Sequence, residues 1–213
     1  MSNRVLLLWC LIWSVAFGVV EGAVVVYLRA LAYPDGFVFP LQQIDARIMS
    51  TELVRELATL VMLLAVARLA TRGGLRRFAV FALCFAVWDL TYYGTLRVLL
   101  GWPASVLDWD ILFLIPVPWT GPVLAPVLVS LALIAASVAI LLEPEGRQFG
   151  WLRPIDWALE LLAGALILAS FFWNAGPVQA GGLPQAFPWW LFLPGWTGGL
   201  VWFILRWRCR PSA

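Results

Sequence analysis

Long apolar stretches separated by short polar connections recur along the whole 213-residue chain. Six of them approach or exceed the ~20 residues with which an α-helix crosses the hydrocarbon core of a bilayer. The pattern predicts an all-α fold, a polytopic transmembrane helical bundle that forms one integral membrane domain over residues 1–213. The predicted spans cover residues 5–31, 50–70, 78–100, 121–142, 155–173 and 189–207.

Two connections contain more than a turn. Residues 41–49 predict either an interfacial helix or an early start of span two, with Ser50 or Thr51 as the alternative N-cap. Before span four, the prolines at 103, 116, 118 and 122 are too dense for one regular helix. We therefore expect a short helix and a bend over Asp108–Trp119, either interfacial or re-entrant, with Thr120 capping span four.

Composition supports the membrane class and excludes several cofactors. The chain is 63% hydrophobic and 12% charged, whereas soluble domains carry about 25% charged residues. It has no histidine, and all 14 basic residues are arginine. The missing histidine and lysine make haem, retinal and pyridoxal phosphate unexpected cofactors. No nucleic-acid partner is predicted.

The arginines also predict an orientation. With six spans, both termini lie on the same side as the second and fourth connections, and that side holds ten of the 14 arginines. Cytoplasmic segments carry the excess of arginine. The chain is therefore predicted to be a multi-pass protein of the cell membrane with both termini in the cytoplasm.

Acidic residues within the spans predict a site near the outer face. Asp89 lies within span three, where an isolated carboxylate costs ~2.5–3.5 kcal/mol on insertion scales. Glu21 precedes Arg29 by eight residues, as Asp89 precedes Arg97, which places both acids ~12 Å below the interface at the helical rise. Glu56 of span two reaches a depth of ~8–9 Å on the same count.

These residues predict acid/base or metal chemistry. Glu21 and Asp89 are the candidate catalytic acid and base, and Glu56 is expected to tune them, because clustered buried carboxylates separate into a proton donor and an acceptor. The three could alternatively ligate a divalent cation such as magnesium or calcium. The candidate substrate-binding residues are Arg55, Arg97, Tyr92, Tyr93 and Trp88. The remaining outer acids are interpreted as solvated loop acids or helix caps: Asp35, Asp45, Asp108 and Asp110.

Three classes of function fit this pattern. The first is an enzyme or binding protein with an outer-leaflet site for a lipid or isoprenoid-like molecule. The alternatives are a non-catalytic subunit or assembly factor of a membrane complex, and a small proton- or cation-coupled transporter. Two GxxxG motifs, Gly18–Gly22 and Gly195–Gly199, suit close helix contacts within the chain or in a homo- or hetero-oligomer.

Overall fold

The computed structural model describes residues 2–34, 36–42, 44–144, 146–147 and 149–210. Six long helices, one short helix and a two-stranded sheet make up most of this part of the chain. In chain order the elements are α1 (Asn3–Ala32), α2 (Ala46–Ala70), α3 (Gly74–Leu100), β1 (Trp109–Phe113), β2 (Trp119–Pro122), α4 (Leu124–Leu142), α5 (Pro154–Phe172), α6 (Ala175–Gln179) and α7 (Trp189–Arg208).

Each of the six predicted apolar stretches contains a long helix, and local capping sets the helix ends. α2 begins at Ala46 because the Asp45 carboxylate accepts a hydrogen bond from the Arg47 N–H at 2.8 Å. The early start of span two is thus confirmed, and the alternative cap at Ser50 or Thr51 is wrong. α3 ends where Gly101 adopts a left-handed conformation with φ of 68°, which glycine accepts at no steric cost.

The segment before α4 is a β-hairpin, so the expectation of a short helix over Asp108–Trp119 is wrong. β1 and β2 pair antiparallel, with Asp110 opposite Gly121 and Ile111 opposite Thr120. The predicted capping role of Thr120 is also wrong, because Thr120 lies in β2 and α4 begins at Leu124. Two short paired strands satisfy backbone groups that this proline-rich segment could not satisfy as a helix.

The first glycine motif joins α1 to α3. A Cβ atom added at Gly18 would lie 2.6 Å from Thr91 Cβ and 2.8 Å from the Trp88 carbonyl oxygen, and one added at Gly22 would lie 2.7 Å from Thr95 Cγ2. Only glycine therefore permits this approach. α3 also contacts α2 and α4, which makes it the central helix of this group.

The second glycine motif joins α5 to α7. A Cβ atom at Gly195 would lie 2.9 Å from the Ala163 carbonyl oxygen, and one at Gly199 would lie 3.1 Å from Ala163 Cβ. Trp196 connects this pair to α4 by donating its indole N–H to the Leu128 carbonyl at 2.9 Å. Both GxxxG faces are thus occupied inside the chain, and an oligomer would have to use other surfaces.

The outer surface of the bundle is apolar. Large aliphatic side chains such as Leu69 and Val98 are 88% and 82% exposed, and a surface of this kind is typical of contact with lipid. Among the described residues, four helical stretches are long and apolar enough to cross a membrane: α1, α3, α4 and Pro154–Gln179. α2 is not among them, because its first half carries Glu52, Arg55 and Glu56. The tryptophan-rich α7 is not among them either.

Candidate functional site

A large cavity lies between α2, α3 and α4 on one side and the α5–α7 pair on the other. Its volume is about 1870 Å³, which exceeds the roughly 300–1,000 Å³ of ordinary small-molecule pockets. Most of its wall is apolar, with Phe85, Leu133 and Ala136 as examples. One part, called here the acidic end, is defined by seven charged side chains: Glu21, Arg29, Glu52, Arg55, Glu56, Asp89 and Asp110.

Arg55 is the centre of a buried ion-pair network between α1 and α2. Its Nη1 donates to Glu21, while its Nη2 and Nε donate to Glu52 at 2.7 and 2.9 Å. Glu52 precedes Arg55 by one helical turn, so both lie on the same face of α2. The structure therefore brings together Glu21 and Arg55, as the sequence predicted, but all three guanidinium nitrogens of Arg55 are already engaged with carboxylates.

Glu56 forms hydrogen bonds with the hairpin. Its two carboxylate oxygens accept hydrogen bonds from the Leu114 N–H at 3.0 and 2.9 Å. Leu114 directly follows β1, and Glu56 is only 8% exposed. The contact attaches the hairpin turn to α2, which makes Glu56 a positioning residue for the cavity wall.

Asp89 has a different environment from the other acids. Its carboxylate accepts a hydrogen bond from the Ser130 hydroxyl of α4 at 2.8 Å. Ser130 is 1% exposed, and both residues line the cavity. Within the described residues no arginine forms an ion pair with Asp89, and the hydrogen-bond donor to its carboxylate is a neutral hydroxyl group.

The aromatic neighbours of Asp89 also line the cavity. Tyr92 and Tyr93 lie with their ring centroids 5.2 Å apart. Trp88 packs among Phe85 and Phe113, with centroid separations of 5.3 and 6.1 Å, and it is 8% exposed. In the described part of the chain, the Trp88 indole N–H has no hydrogen-bond partner.

Asp110 is a site residue that the sequence reading missed. It was interpreted as a loop or capping acid, but it is 3% exposed and forms an ion pair with Arg29 at 3.1 Å. Arg29 in turn stacks on Trp102, with its guanidinium carbon 3.8 Å from the ring centroid. Side chains alternate between the two faces of β1, and this alternation turns Asp110 inward. A predicted helix has no such alternation, so the sequence prediction did not place Asp110 in the site.

The two carboxylate oxygens of Asp110 have different surroundings. Arg29 donates to Oδ1, whereas Oδ2 has no hydrogen-bond partner among the described residues. The Tyr93 hydroxyl lies close to this carboxylate. Burial raises the pKa of Asp110 to about 6, against the opposing influences of Arg29 and the Ile111 N–H. The group is therefore mostly ionised at neutral pH.

The remaining outer residues have structural roles. Arg97 donates to the Gly101 and Pro103 carbonyls at 2.6 and 2.9 Å, so it caps the end of α3, and its predicted substrate contact stays a prediction. Asp108 accepts from the Ala104 and Ser105 N–H groups, and Asp45 caps α2, which confirms both as capping acids. Asp35 lies outside the described residues.

The predicted metal ligands do not converge. Glu21, Glu56 and Asp89 line one cavity, but each accepts hydrogen bonds from a different partner. Within the residues that the structure describes, no three acidic or cysteine side chains are grouped to hold a metal ion. The three acids therefore lack the shared arrangement that a divalent cation would need.

A second polar group lies on the cavity wall between α5 and α7, and the sequence reading did not single it out. Arg206 forms an ion pair with Asp156 at 3.0 Å, and Arg153 is 3.3 Å from the other oxygen of Asp156. Glu160, one helical turn after Asp156, also lines the cavity. The wall between this group and Asp89 is apolar, with Leu133 and Ala136 as examples.

Comparison with known proteins matches this chain to no protein family, no curated protein and no solved structure. The class that the architecture supports is that of a helical membrane protein with four apolar helices of spanning length. Its chemistry must be inferred from the cavity alone.

Proposed function

We propose that this protein is an integral membrane protein whose cavity binds a lipid or isoprenoid-like molecule. The observation that carries the proposal is the combination of a cavity of about 1870 Å³, an apolar wall and one strongly polar end. An apolar tail that enters such a wall from the bilayer exchanges one apolar environment for another and loses little, and the polar end supplies a position for a headgroup.

The proposed topology has six spans, with both termini in the cytoplasm and the acidic end toward the outer face. α2 and α7 complete the six, because each has at least 20 residues and packs against a helix of spanning length. Their charged and aromatic side chains line the cavity or lie near the helix ends, where a bilayer tolerates them.

A bulky substitution in the cavity wall tests ligand binding. Ala136 lines the cavity, whereas Ala135, the preceding residue on α4, is exposed and does not line it. We expect Ala136→Trp to lower the amount of lipid that copurifies in mild detergent, because the indole obstructs part of the apolar wall, and the amount is measured by native mass spectrometry and lipid extraction. Ala135→Trp is the matched control and should retain the wild-type amount. Equal lipid in both variants would contradict the proposal.

Cysteine labelling tests the topology. Cys209 is exposed after α7, whereas Cys10 and Cys84 are buried. A membrane-impermeant maleimide should therefore label wild-type protein only after the cells are permeabilised. An Ala104→Cys variant, in the exposed connection between α3 and β1, should be labelled in intact cells. Labelling of Cys209 in intact cells would reverse the proposed orientation.

If the protein is an enzyme, Asp89 is the candidate acid or base. It is the cavity carboxylate whose described partner is a neutral hydroxyl, so a change in its protonation does not break an ion pair. Glu21 is held by Arg55 and Glu56 by the Leu114 N–H, which suits them to positioning. Turnover of a bound lipid by wild-type protein, lost in Asp89→Asn, would support this role.

A cation-coupled transporter is the second candidate, favoured by one observation. Glu160 lines the same cavity as Asp89 from the inner half of α5, so ionisable groups occur in both halves of the cavity wall. In liposomes, uptake coupled to protons should be detectable with a pH-sensitive dye and lost in both Asp89→Asn and Glu160→Gln. Absence of uptake by wild-type protein would exclude this candidate.

A further inference from the structure

The charges at the acidic end are unequal. Five carboxylates and two guanidinium groups line it, which gives a formal charge of −3 if all are ionised. Hydrogen bonds to protein groups stabilise some of this charge, most clearly at Glu56. The imbalance is nevertheless large for groups removed from bulk water, because a buried charge is costly unless it is paired.

Neither arginine of the acidic end is free to bind an anion. Arg55 uses all three of its side-chain nitrogens on Glu21 and Glu52. Arg29 pairs with Asp110 and is covered by the rings of Trp102 and Phe37, at 3.8 and 4.6 Å from its guanidinium carbon. A phosphate or carboxylate headgroup would have to displace these carboxylates, against strong charge-assisted hydrogen bonds.

Two carboxylates of the acidic end, in contrast, are paired less completely. Asp110 is 3% exposed and lines the cavity with an Oδ2 atom that has no partner among the described residues. Asp89 accepts the Ser130 hydroxyl through Oδ2. The rings of Tyr92 and Tyr93 also line the cavity, and aromatic faces attract cations.

We propose that the acidic end binds the headgroup of a cationic amphiphile, an ammonium group held by Asp89 and Asp110 and faced by Tyr92 and Tyr93. This inference rests on the proposed function, since it assigns the headgroup of the molecule whose tail occupies the apolar wall. It replaces the expectation from sequence that Arg55 and Arg97 bind an anionic group.

The test compares two probes that share one tail. Full-length protein in uncharged nanodiscs is titrated with dodecyltrimethylammonium and with dodecyl phosphate, and binding is measured by calorimetry. Empty nanodiscs of the same lipid are titrated in parallel so that partition into the bilayer can be subtracted, together with the Ala136→Trp variant, whose indole obstructs part of the apolar wall. We expect the ammonium probe to bind the cavity at least tenfold more tightly than the phosphate probe.

Variants assign the preference to the two carboxylates. Asp89→Asn and Asp110→Asn should each reduce the affinity for the ammonium probe about tenfold, while Asp89→Glu, which keeps the charge, should retain most of it. Asp108→Asn is the control, because that side chain caps the Ala104 and Ser105 N–H groups in the connection outside the cavity, and it should bind like wild type.

The outcomes separate this inference from the proposed function. If wild-type protein binds neither probe more than empty nanodiscs do, the cavity takes no such ligand and the proposed function fails. If wild-type protein binds the probes more tightly than Ala136→Trp does, but binds the phosphate probe as tightly as the ammonium probe, the cavity binds lipid and the cationic assignment is overturned. The wild-type comparison needs no substitution in the acidic end, so a variant that misfolds does not obscure it.

Discussion

Removal of the Arg55 charge is the most direct test of the buried network between α1 and α2. Arg55→Met keeps much of the side-chain length but leaves Glu21 and Glu52 without their shared cation. Their side chains are 8% and 9% exposed, and that of Arg55 is 23% exposed. Loss of one partner from a buried ion pair costs about 3–5 kcal/mol. Since Arg55 is partly exposed, we expect the lower end of this range, about 3 kcal/mol.

The assay is equilibrium unfolding in mixed micelles. Protein in dodecyl maltoside is titrated with sodium dodecyl sulfate, and tryptophan fluorescence reports the free energy of unfolding. Arg97→Met is the control, because Arg97 is exposed and donates only to the Gly101 and Pro103 carbonyls. Its loss should cost about 1 kcal/mol, the net value of ordinary hydrogen bonds.

A triple variant separates the ion pairs from the packing of the side chains. Glu21→Met, Glu52→Met and Arg55→Met together remove all three charges at similar volume, and replacement of a complete buried network by apolar side chains is often close to neutral. We expect the triple variant to recover most of the stability lost in Arg55→Met alone. The reasoning would be refuted if Arg55→Met were no less stable than Arg97→Met, or if the triple variant were as unstable as the single one.

Two further predictions concern the contact of α1 with α3 and the ionisation of Asp110. Gly18→Ala should destabilise the protein by about 1–3 kcal/mol in the same unfolding assay, because the new methyl group overlaps α3. Gly94→Ala, where an added Cβ meets no atom within 4 Å, should be neutral or stabilising. Binding of the non-titrating dodecyltrimethylammonium probe should weaken as the pH falls through about 6, where Asp110 takes up a proton beside Arg29 and Tyr93. Affinity that is constant from pH 8 to 5 would contradict this.

The helices were predictable because their signal is local. Each apolar stretch of the sequence contains a long helix, and both GxxxG motifs are sites of close helix contact, as small residues at that spacing indicate. Residue counts along α1 and α2 placed Glu21 and Glu56 at similar predicted depths, with Arg55 next to Glu56. The counts predicted one site for these residues, and the structure joins Glu21 to Arg55 directly.

The hairpin was not predictable by the same reasoning. The prolines at 116 and 118 excluded a regular helix but did not distinguish a bend from a turn between two short strands. Strands of four and five residues leave little periodicity to read. This single error removed Asp110 from the candidate site, because a loop acid needs no partner and an inward-facing strand acid does.

The partners of the other acids depended on helix rotation, which no count along the chain supplies. Asp89 could have faced Glu21, but it accepts from Ser130 of α4 instead. Arg97 was assigned to the site through its spacing from Asp89, whereas the free carbonyl groups at the end of α3 are its actual partners. Helix termini leave such carbonyls unsatisfied, and an arginine in the last turn is the nearest donor.

The difference between the apolar wall and the acidic end of the cavity has a consequence for selectivity. Most of the wall is lined by apolar side chains, which form no directional contacts with a hydrocarbon chain. Chains of different length or branching would then fit the same wall. The ion pairs of Arg29 and Arg55, in contrast, fix the other region rigidly, so such a receptor would discriminate strictly by headgroup and tolerate variety in the hydrocarbon part.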